Sequence, residues 1–374
     1  MRFNFFHPFA FLIIFFHSSL VIAHDGGNRA IEFPDVPGFK TLVCDLHMHT
    51  VFSDGSVWPN IRVQEAQRDH VDVIATTEHL EYQPWKDDIP HPDRNRSYEY
   101  ATHFAKNTDV MVINGSEITR NMPPGHANAI FIQDANKLLV DDPMDAFIEA
   151  RKQDAFIFWN HPHWISQSPY ASVPLSPFHL DLIEQGLLEG IEVVNDTTYS
   201  DEAFQVALDH NLTILGTSDI HELIDWQYKV PEGGHRPVTL VFATEKTQPA
   251  LKRALKKGRT VIWFNDNLLG KREHLIPLIN ASLSVSSASY IKNSTVVHTK
   301  IINNSDAPFI LRNQGLNDFY NSTDVVSIPP HGEAILDVRV GEKKRKFTLE
   351  FEVLNALTAP ATHPVIQIMV RPNM

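Results

Sequence analysis

The amino-acid sequence predicts an α/β barrel followed by a small antiparallel β-sandwich. From about residue 40 to 265, short β-rich segments alternate with helical patterns, which is typical of a parallel α/β barrel or sheet. Several segments, such as 155–159 and 238–242, are continuous apolar runs, as expected of strands covered on both faces. After about residue 275 strand alternation continues without a helical period, which predicts a second domain of about 100 residues.

The elements of the first domain can be placed in order. Strands are predicted at 41–46, 71–76, 109–114, 127–132, 155–160, 189–194, 212–217, 237–243 and 259–264. The clearest helix begins after Asp142, a typical N-cap residue, with Pro143 at the first helical position. Another helix is predicted over 249–257 and ends before Gly258.

The second domain is predicted to consist of strands and turns alone. The strands lie at 282–290, 295–302, 334–340, 347–353 and 364–370. Turn-like segments such as 303–305 and 329–332 separate them. The basic run 343–346 falls at a predicted hairpin tip, where a solvated turn is favoured over a partner site.

The composition indicates a globular protein. Of 374 residues, 32 are Lys or Arg and 45 are Asp or Glu, which gives a formal net charge of −13. This charge disfavours a protein that coats nucleic acid, because such a protein needs a basic surface to hold phosphates. Hydrophobic residues make up 43% of the chain, enough for a large core. The single cysteine, Cys44, excludes an intramolecular disulfide and is expected in the core.

Residues 1–23 have the pattern of an export signal. Arg2 supplies the positive end, residues 9–16 form an apolar run, and residues 21–23 offer a cleavage site. The run is too short for a membrane anchor, the alternative, because a bilayer span needs roughly 20 apolar residues. We therefore expect a periplasmic or secreted mature protein that begins near His24 and has no stable membrane span.

Histidines and carboxylates lie beside the predicted strands throughout the first domain. His47 and His49 follow the first strand and, being two apart in an extended segment, point the same way. The others lie near later strand ends: Asp54, His79, Glu117, His126, His161, Asp219 and His221. Because strand ends of one polarity meet at one face of a parallel barrel, we expect these nine side chains to converge. Imidazole and carboxylate groups are typical ligands of Zn, Mn or Fe, so the pattern predicts a metal site.

These residues resemble the PHP superfamily, named for polymerase and histidinol phosphatase. The resemblance rests on residues 45–55 (Asp-Leu-His-Met-His-Thr-Val-Phe-Ser-Asp-Gly), residues 77–79, Glu117, His126, residues 160–162 and residues 218–221. It covers roughly 40–265 and implies a distorted (β/α)7 barrel with a trinuclear metal site that cleaves phosphate esters. The domains would then be a barrel over 24–270 and a β-sandwich over 271–374.

Three local runs, 52–59, 115–126 and 156–162, are similar to a narrower group. These are exported PHP phosphodiesterases with a C-terminal β domain, linked to hydrolysis of organophosphate diesters. Two residues depart from the patterns: Glu78 stands where the superfamily usually has Asp, and His163 where the narrower group often has Gly. Neither departure removes a ligand, although His163 could alter the pocket.

The resemblance also implies how the ligands divide among three divalent metals. The first is held by His47, His49, Glu117 and Asp219, the second by Glu117, His126 and His161, and the third by Asp54, His79 and His221. Glu117 then bridges two metals. A water held between two metals is acidified to hydroxide near neutral pH and can attack phosphorus. Asp219 is the candidate proton acceptor that orients this water.

Other residues are candidates for contact with substrate. Arg120 is a candidate clamp for a phosphate oxygen, with a structural ion pair as the alternative. His163 is a candidate general acid for the leaving alkoxide, with a rim position as the alternative. Tyr82, Trp85 and Trp164 are candidates for an apolar wall against ester substituents, with packing on the barrel as the alternative.

The sequence therefore predicts a metal-dependent phosphodiesterase that acts on a small-molecule phosphate ester. A phosphomonoesterase with the same metals stays an alternative. The spacing of the metal ligands cannot distinguish the two, because loop residues select a substrate by its charge and size. A nuclease is disfavoured by the acidic charge. A non-catalytic module that binds metal is the remaining alternative. The native metal, the natural substrate and the oligomeric state are left open.

Overall fold

The computed structural model of the chain describes residues 30–373. The predicted signal peptide, residues 1–23, lies outside this described range. Within residues 30–373, none of the helices combines the length and the apolar character that crossing a bilayer demands.

The nine strands predicted for the first domain are confirmed. The strands of this domain are β1 (Lys40–Asp45), β2 (Val73–Thr76), β3 (Met111–Thr119), β4 (His126–Ile130), β5 (Phe156–Trp159), β6 (Gly190–Asn195), β7 (Thr198–Tyr199), β8 (Thr213–Thr217), β9 (Val238–Ala243), β10 (Thr260–Phe264) and β11 (Asn267–Gly270). The sequence did not predict the short strands β7 and β11. The strand predicted at 109–114 also ends too early, because β3 continues to Thr119 and includes the buried ligand candidate Glu117.

Helices lie between most of these strands. They are α1 (Pro59–Arg68), α2 (Arg96–Ala105), α3 (Pro143–Lys152), α4 (Pro177–Glu184), α5 (Asp201–Asp209), α6 (Ile224–Gln227), α7 (Gln248–Lys256) and α8 (Arg272–Ser282). Asp142 caps α3 as predicted, since its side chain accepts a hydrogen bond from the backbone N–H of Met144. The sequence did not predict α8, which extends the helical pattern beyond residue 275.

The sheet of the first domain is mixed, which corrects the expectation of a purely parallel sheet. Strands β1, β2 and β3 are parallel neighbours, as are β5, β6 and β8. Strand β4 is antiparallel to both β3 and β5, and β9 is antiparallel to β1. The reversal at β4 follows from the short connection 120–125, because a parallel crossover needs about a dozen residues or more.

Side chains close the gap between the two ends of this curved sheet. The hydroxyl of Thr239 in β9 accepts a hydrogen bond from the N–H of Gly216 in β8 (2.9 Å) and donates one to its carbonyl (2.8 Å). The strands therefore form a distorted, incompletely hydrogen-bonded barrel. Cys44 is fully buried in the barrel core, and burial raises the pKa of its thiol, as expected of a packing residue.

The second domain is a sandwich of two antiparallel sheets. Its strands are β12 (Leu283–Tyr290), β13 (Val296–Asn303), β14 (Phe309–Asn313), β15 (Val325–Ile328), β16 (Glu333–Arg339), β17 (Phe347–Val353), β18 (Ala356–Leu357) and β19 (Val365–Val370). One sheet has the order β12-β13-β16 and the other β15-β14-β17-β19. The predicted order of an α/β barrel followed by an antiparallel sandwich is therefore confirmed, although β14, β15 and β18 were not predicted.

The two domains share one apolar core. Leu278 and Ile279 of α8 belong to the same buried cluster as Leu240 of the barrel and Val297 of the sandwich. Strand β18 also pairs in parallel with β11, so the second domain adds a strand to the barrel sheet. The boundary predicted at residue 270 stays a prediction, and the sandwich strands begin at Leu283.

Candidate metal centre

Backbone pairing beyond the ends of β1 and β8 brings the first ligands together. The N–H of His49 donates to the carbonyl of Ile220 (3.0 Å), and the N–H of Asp219 donates to the carbonyl of His47 (2.9 Å). Met48, between the two histidines, is buried in the core. Because alternate residues of an extended segment point to opposite sides, His47 and His49 both face Asp219.

The same kind of pairing places the remaining barrel ligands. Two backbone hydrogen bonds join Glu117 to the residues on either side of His79. His126 is the first residue of β4. Its carbonyl accepts a hydrogen bond from the N–H of Asn160 (3.0 Å), which precedes His161. Short ladders at the strand ends, rather than long loops, therefore position these side chains.

One group of ligand atoms forms a nearly equilateral triangle. His47 Nε2 lies 3.1 Å from His49 Nε2 and 3.1 Å from Asp219 Oδ1, and His49 Nε2 lies 3.0 Å from the same oxygen. That Asp219 oxygen is buried and makes no geometrically acceptable hydrogen bond. Ligands on one tetrahedral metal at bonds of about 2.0–2.1 Å lie roughly 3.3 Å apart. The triangle therefore fits a divalent metal better than it fits hydrogen bonding.

A second group gathers around Asp54. Its carboxylate lies 3.1 Å from His221 Nε2 and 3.3 Å from His79 Nε2. His49 Nδ1 lies 3.7 Å from it on a third side. These four residues offer ligand atoms that all lie within 4.8 Å of one another. Three imidazoles and one carboxylate are a donor set suited to a transition metal.

Glu117 lies between several imidazoles. Its Oε1 is 3.1 Å from His126 Nδ1, 3.4 Å from His161 Nε2 and 3.5 Å from His47 Nε2. Its Oε2 contacts His79 Nδ1. The two oxygens thus face different histidines: Oε1 faces those that the resemblance assigns to the first and second metals, and Oε2 faces His79, which it assigns to the third. The structure therefore brings all nine predicted ligands into one connected group, which we call the ligand cluster. The division of the ligands among metals stays a prediction.

Histidines keep the carboxylates of the ligand cluster ionised. Burial alone would raise the pKa of Glu117, but the imidazoles of His126 and His79 hold it well below its usual range. Burial alone would likewise raise the pKa of Asp219, but His47 and His49 hold it well below its usual range. Conversely, burial alone would lower the pKa of His47, but Asp219 and the buried carboxylate of Glu192 raise it to about 10.

The carboxylates of the ligand cluster have neither lysine nor arginine as an ion-pair partner within the described residues. In residues 30–373, the ion pairs of Asp54, Glu117 and Asp219 are all with histidine. Divalent cations held by these carboxylates would therefore supply positive charge that no lysine or arginine paired with them supplies.

One solved structure decides the family. A two-domain protein from Bacteroides vulgatus contains a domain predicted to be a PHP-like metal-dependent phosphoesterase. It is 40% identical to this chain with a TM-score of 0.85, and the match covers 91% of this chain and 98% of that one. The chain belongs to the PHP-like metal-dependent phosphoesterases. Both the family and the two-domain architecture inferred from the ligand motifs are thereby confirmed.

Other comparisons concern parts of this phosphoesterase. A family model described as an Ig-like domain, DUF5001, matches residues 283–369, which form the sandwich. Among curated proteins, none matches significantly. An amidohydrolase from Chromobacterium violaceum (16% identity, TM-score 0.37, covering 48% of this chain and 87% of that one) resembles it only distantly. A lesion-specific endonuclease from Pyrococcus furiosus is similarly distant, with 16% identity and a TM-score of 0.43. The match covers 68% of this chain and 64% of that one.

Two buried glutamates lie next to the ligand cluster and were not predicted from the sequence to be functional. Glu192 in β6 is fully buried and accepts a hydrogen bond from Nδ1 of His47 (2.8 Å). Glu78, noted only as a departure, accepts a hydrogen bond from Ser53 Oγ (2.6 Å), which lies 3.2 Å from His49 Nδ1. A carboxylate inside the apolar run 190–194 was the signal that could have identified Glu192.

Arg120 has protein partners in this phosphoesterase. Its Nε lies 2.7 Å from Glu81 Oε1, and its terminal nitrogens donate to the carbonyls of Asp141 and Val140. The structural ion pair that the sequence left open is therefore present. A role as phosphate clamp stays a prediction, and it requires the guanidinium to leave these partners.

His163 lies beside the ligand cluster, and its hydrogen bonds indicate its tautomer. The hydroxyl of Thr198 donates to the carbonyl of Asn195 (2.8 Å) and lies 2.9 Å from His163 Nε2. Since that hydroxyl proton is already used, Nε2 carries the imidazole proton and Nδ1 the lone pair. Burial and the nearby His161 lower the pKa of His163. A role as general acid stays a prediction, and it requires a proton on Nδ1.

Two of the three predicted aromatic residues contact the ligand cluster. The ring of Trp164 lies 5.3 Å from that of His161 and 5.7 Å from that of His126, centroid to centroid. The ring of Tyr82 lies 5.7 Å from that of His79. Trp164 is 42% exposed and Tyr82 51%, so both present free surface to solvent next to metal ligands. Trp85 is also partly exposed.

Proposed function

We propose that this PHP-like phosphoesterase is a phosphodiesterase. The observation that carries the proposal is that the ligand carboxylates pair with histidine alone, within the described chain. A phosphate monoester carries up to two negative charges and needs additional cationic groups around it. A diester carries only one negative charge. The exposed rings of Tyr82 and Trp164 favour the same choice, because they offer apolar surface to a second ester group.

The ligand cluster would hold the metals through the imidazoles and carboxylates already described. When bound, divalent metals supply an acidified water as nucleophile and neutralise the charge that develops on the phosphoryl oxygens. Asp219 is anchored through Oδ2, which accepts a hydrogen bond from Asn195 Nδ2 (3.2 Å). Its Oδ1 faces His47 and His49, so Oδ1 is the atom that can orient the nucleophile and hold its proton.

The protein also fixes the bridging carboxylate. The amide of Asn160 donates a hydrogen bond to Glu117 Oε1 (2.8 Å), which holds that oxygen among the imidazoles. Such preorganisation means that the groups need not move when charge develops in the transition state.

The test compares two model substrates on metal-analysed protein. The purified protein is assayed for bound metal by elemental analysis and for kcat/KM on bis(p-nitrophenyl) phosphate and p-nitrophenyl phosphate. We expect several metals per chain and at least about 10-fold preference for the diester, a difference of ~1.4 kcal/mol in transition-state binding. Stoichiometric metal with preference for the monoester would instead identify a phosphomonoesterase. Metal without either activity would favour a binding module.

We also propose that the protein is exported. The proposal rests on the sequence of residues 1–23. Expression of the full chain, followed by cell fractionation and N-terminal sequencing, should yield a product that begins near His24 outside the cytoplasm. An uncleaved product in the cytoplasm would contradict this.

A further inference from the structure

Glu192 is a buried carboxylate that touches several ligand-bearing segments without belonging to the ligand cluster. It lies inside β6 and has no exposed surface. Oε1 accepts hydrogen bonds from His47 Nδ1 (2.8 Å) and Thr217 Oγ1 (2.6 Å). Oε2 accepts hydrogen bonds from the backbone N–H of His161 (2.7 Å) and from Asn195 Nδ2 (2.8 Å). Four donors therefore converge on one carboxylate.

We propose that Glu192 is a positioning residue that holds three ligands, His47, His161 and Asp219, in their metal-binding geometry. The proposal rests on the metal-dependent function proposed above. It goes beyond that function by assigning a role to a residue that binds no metal itself. The three ligands come from the ends of β1, β5 and β8, and Glu192 in β6 reaches all three segments.

The hydrogen bond to His47 fixes its tautomer. A proton on Nδ1 that is donated to Glu192 leaves the lone pair on Nε2, the atom that faces His49 and Asp219. An outer carboxylate that orients a histidine in this way is a recurring feature of metal sites, and it also increases the basicity of the ligand.

The other hydrogen bonds hold two ligands whose backbone is unusual. His161 has φ of 28° and Asp219 has φ of 48°, in the left-handed region that non-glycine residues rarely adopt. Glu192 accepts directly from the N–H of His161. Asn195 Nδ2 is shared between Glu192 and Asp219 Oδ2 (3.2 Å). A strained backbone conformation persists where several surrounding contacts hold it in place. Glu192 supplies such a contact to His161 directly and to Asp219 through Asn195.

Glutamine cannot replace the carboxylate at this position. An amide has one acceptor oxygen, so its NH2 group must face either His47 and Thr217 or His161 and Asn195. If the NH2 group faces His161 and Asn195, two fixed donors are left unpaired in a buried site. If it faces His47 and Thr217, pairing survives only when His47 moves its proton to Nε2, the atom that must bind metal. We therefore expect Glu192→Gln to weaken metal binding by His47, Asp219 and His161. Metal held by Asp54, His79 and His221 should be affected less, because no hydrogen bond joins Glu192 to them in the described structure.

The experiment measures metal binding directly. Wild type and Glu192→Gln, both as full-length purified protein, are compared for metal content by elemental analysis and for Zn²⁺ affinity by chelator competition. Thermal unfolding and circular dichroism report folding. We expect a folded variant that retains fewer metals per chain, with affinity at the affected sites reduced about 10- to 100-fold. Histidine ¹⁵N shifts should show loss of the single His47 tautomer.

Two further variants complete the test. Glu189→Gln removes a carboxylate that lies just before β6 near Lys256 (3.9 Å), and it should bind metal as wild type does. Thr217→Val removes one of the four donors and should weaken affinity a few-fold. Wild-type affinity in folded Glu192→Gln, or a change in thermal stability alone, would overturn the proposal. If Glu192→Gln does not fold, wild-type affinity in Thr217→Val overturns it. Wild type without metal would instead overturn the proposed function.

Discussion

Gly55 lies directly against the peptide bond that joins His49 to Thr50. A Cβ atom on Gly55 would stand 2.7 Å from the carbonyl carbon of His49 and 2.7 Å from the nitrogen of Thr50. The N–H of Gly55 also donates to the carbonyl of Thr50 (2.9 Å). This close approach holds the turn that presents Asp54 to His49, His79 and His221.

Gly55→Ala should therefore damage the metal centre through the backbone. The clash involves backbone atoms that cannot move aside cheaply, so the turn must shift and carry Asp54 with it. We expect a cost of about 1–3 kcal/mol in the free energy of unfolding. We also expect loss of metal from the Asp54 group, measured by elemental analysis. Gly315→Ala is a control for glycine replacement alone, because a Cβ there would meet its nearest atoms at 3.5 Å, an ordinary van der Waals distance. Wild-type metal content in Gly55→Ala would contradict the role given to this turn.

Glu117→Ala should abolish hydrolysis. Both carboxylate oxygens face imidazoles, so the change removes the carboxylate on which several histidines of the ligand cluster converge. If Glu117 bridges two metals as the resemblance implies, both would lose a ligand. We expect at least about a 100-fold fall in kcat/KM together with lower metal content, since even outer residues of metal sites cost 10- to 100-fold. Glu149→Ala, on the exterior of α3, is a matched control. Normal activity in Glu117→Ala would refute the ligand cluster as the active site.

The residues of the ligand cluster could be predicted from the sequence because most of them lie near the end of a predicted strand. His47 and His49 project from one extended segment, and the other ligands lie at strand ends that any barrel of this kind gathers at one face. The direction of β4 could not be inferred from apolar runs alone, because its polarity depends on the short connection before it. Even so, His126 reaches the same face, since it begins the reversed strand there.

The apolar run around Glu192 could have marked it as unusual, but its role could not be predicted from the sequence. Its function depends on donors from three other segments, and no spacing in one sequence reveals that Thr217 and Asn195 face it. The same limit applied to Arg120, whose partner Glu81 lies in a loop between strands. Strand β15 was missed because four residues give little periodic signal.

Trp164→Ala should change substrate preference more than chemistry. The exposed indole lies next to His161 and His126. If the protein is the phosphodiesterase proposed above, this ring would pack against the ester group that does not leave. We expect KM for bis(p-nitrophenyl) phosphate to rise about 10-fold, which corresponds to ~1.4 kcal/mol. Methyl p-nitrophenyl phosphate should be affected less, since methyl offers little surface. Equal changes for both substrates would exclude a role in selecting the second ester group.

Arg236→Met should destabilise the barrel. The guanidinium is almost fully buried, 2.6 Å from Asp69 and 3.3 Å from Asp45. Its removal leaves the buried carboxylate of Asp45 without its cation, whereas Asp69 keeps its ion pair with Arg68 (3.0 Å). Breaking a buried ion pair typically costs about 3–5 kcal/mol. Chemical denaturation should show this loss, whereas Arg312→Met, in an exposed pair on the sandwich, should change stability by less than about 1 kcal/mol.

The same ion pair predicts a pH dependence. Burial alone would raise the pKa of Asp69, but Arg236 and Arg68 lower it below the ordinary value of 3.8. The stabilisation from Asp69 is therefore present above about pH 4 and is lost as the pH falls through the lower native value. The difference in unfolding free energy between wild type and Asp69→Asn should shrink from pH 6 to pH 3. A constant difference would show that the charge of Asp69 is not responsible.

Asn355→Ala should loosen the junction between the domains without altering the chemistry. The side-chain amide of Asn355 donates to the carbonyls of Asp266 (2.8 Å) and Pro308 (2.7 Å), and its oxygen accepts from the N–H of Ile310 (3.0 Å). The variant removes three hydrogen bonds to partly buried backbone groups, so we expect stability to fall by about 1 kcal/mol or more. Because Asn355 makes no described hydrogen bond to a residue of the ligand cluster, kcat/KM at 25 °C should match wild type. Thr348→Ala, on the exposed face of β17, is the control. Loss of activity in folded, metal-loaded Asn355→Ala would show that the sandwich influences the site through this junction.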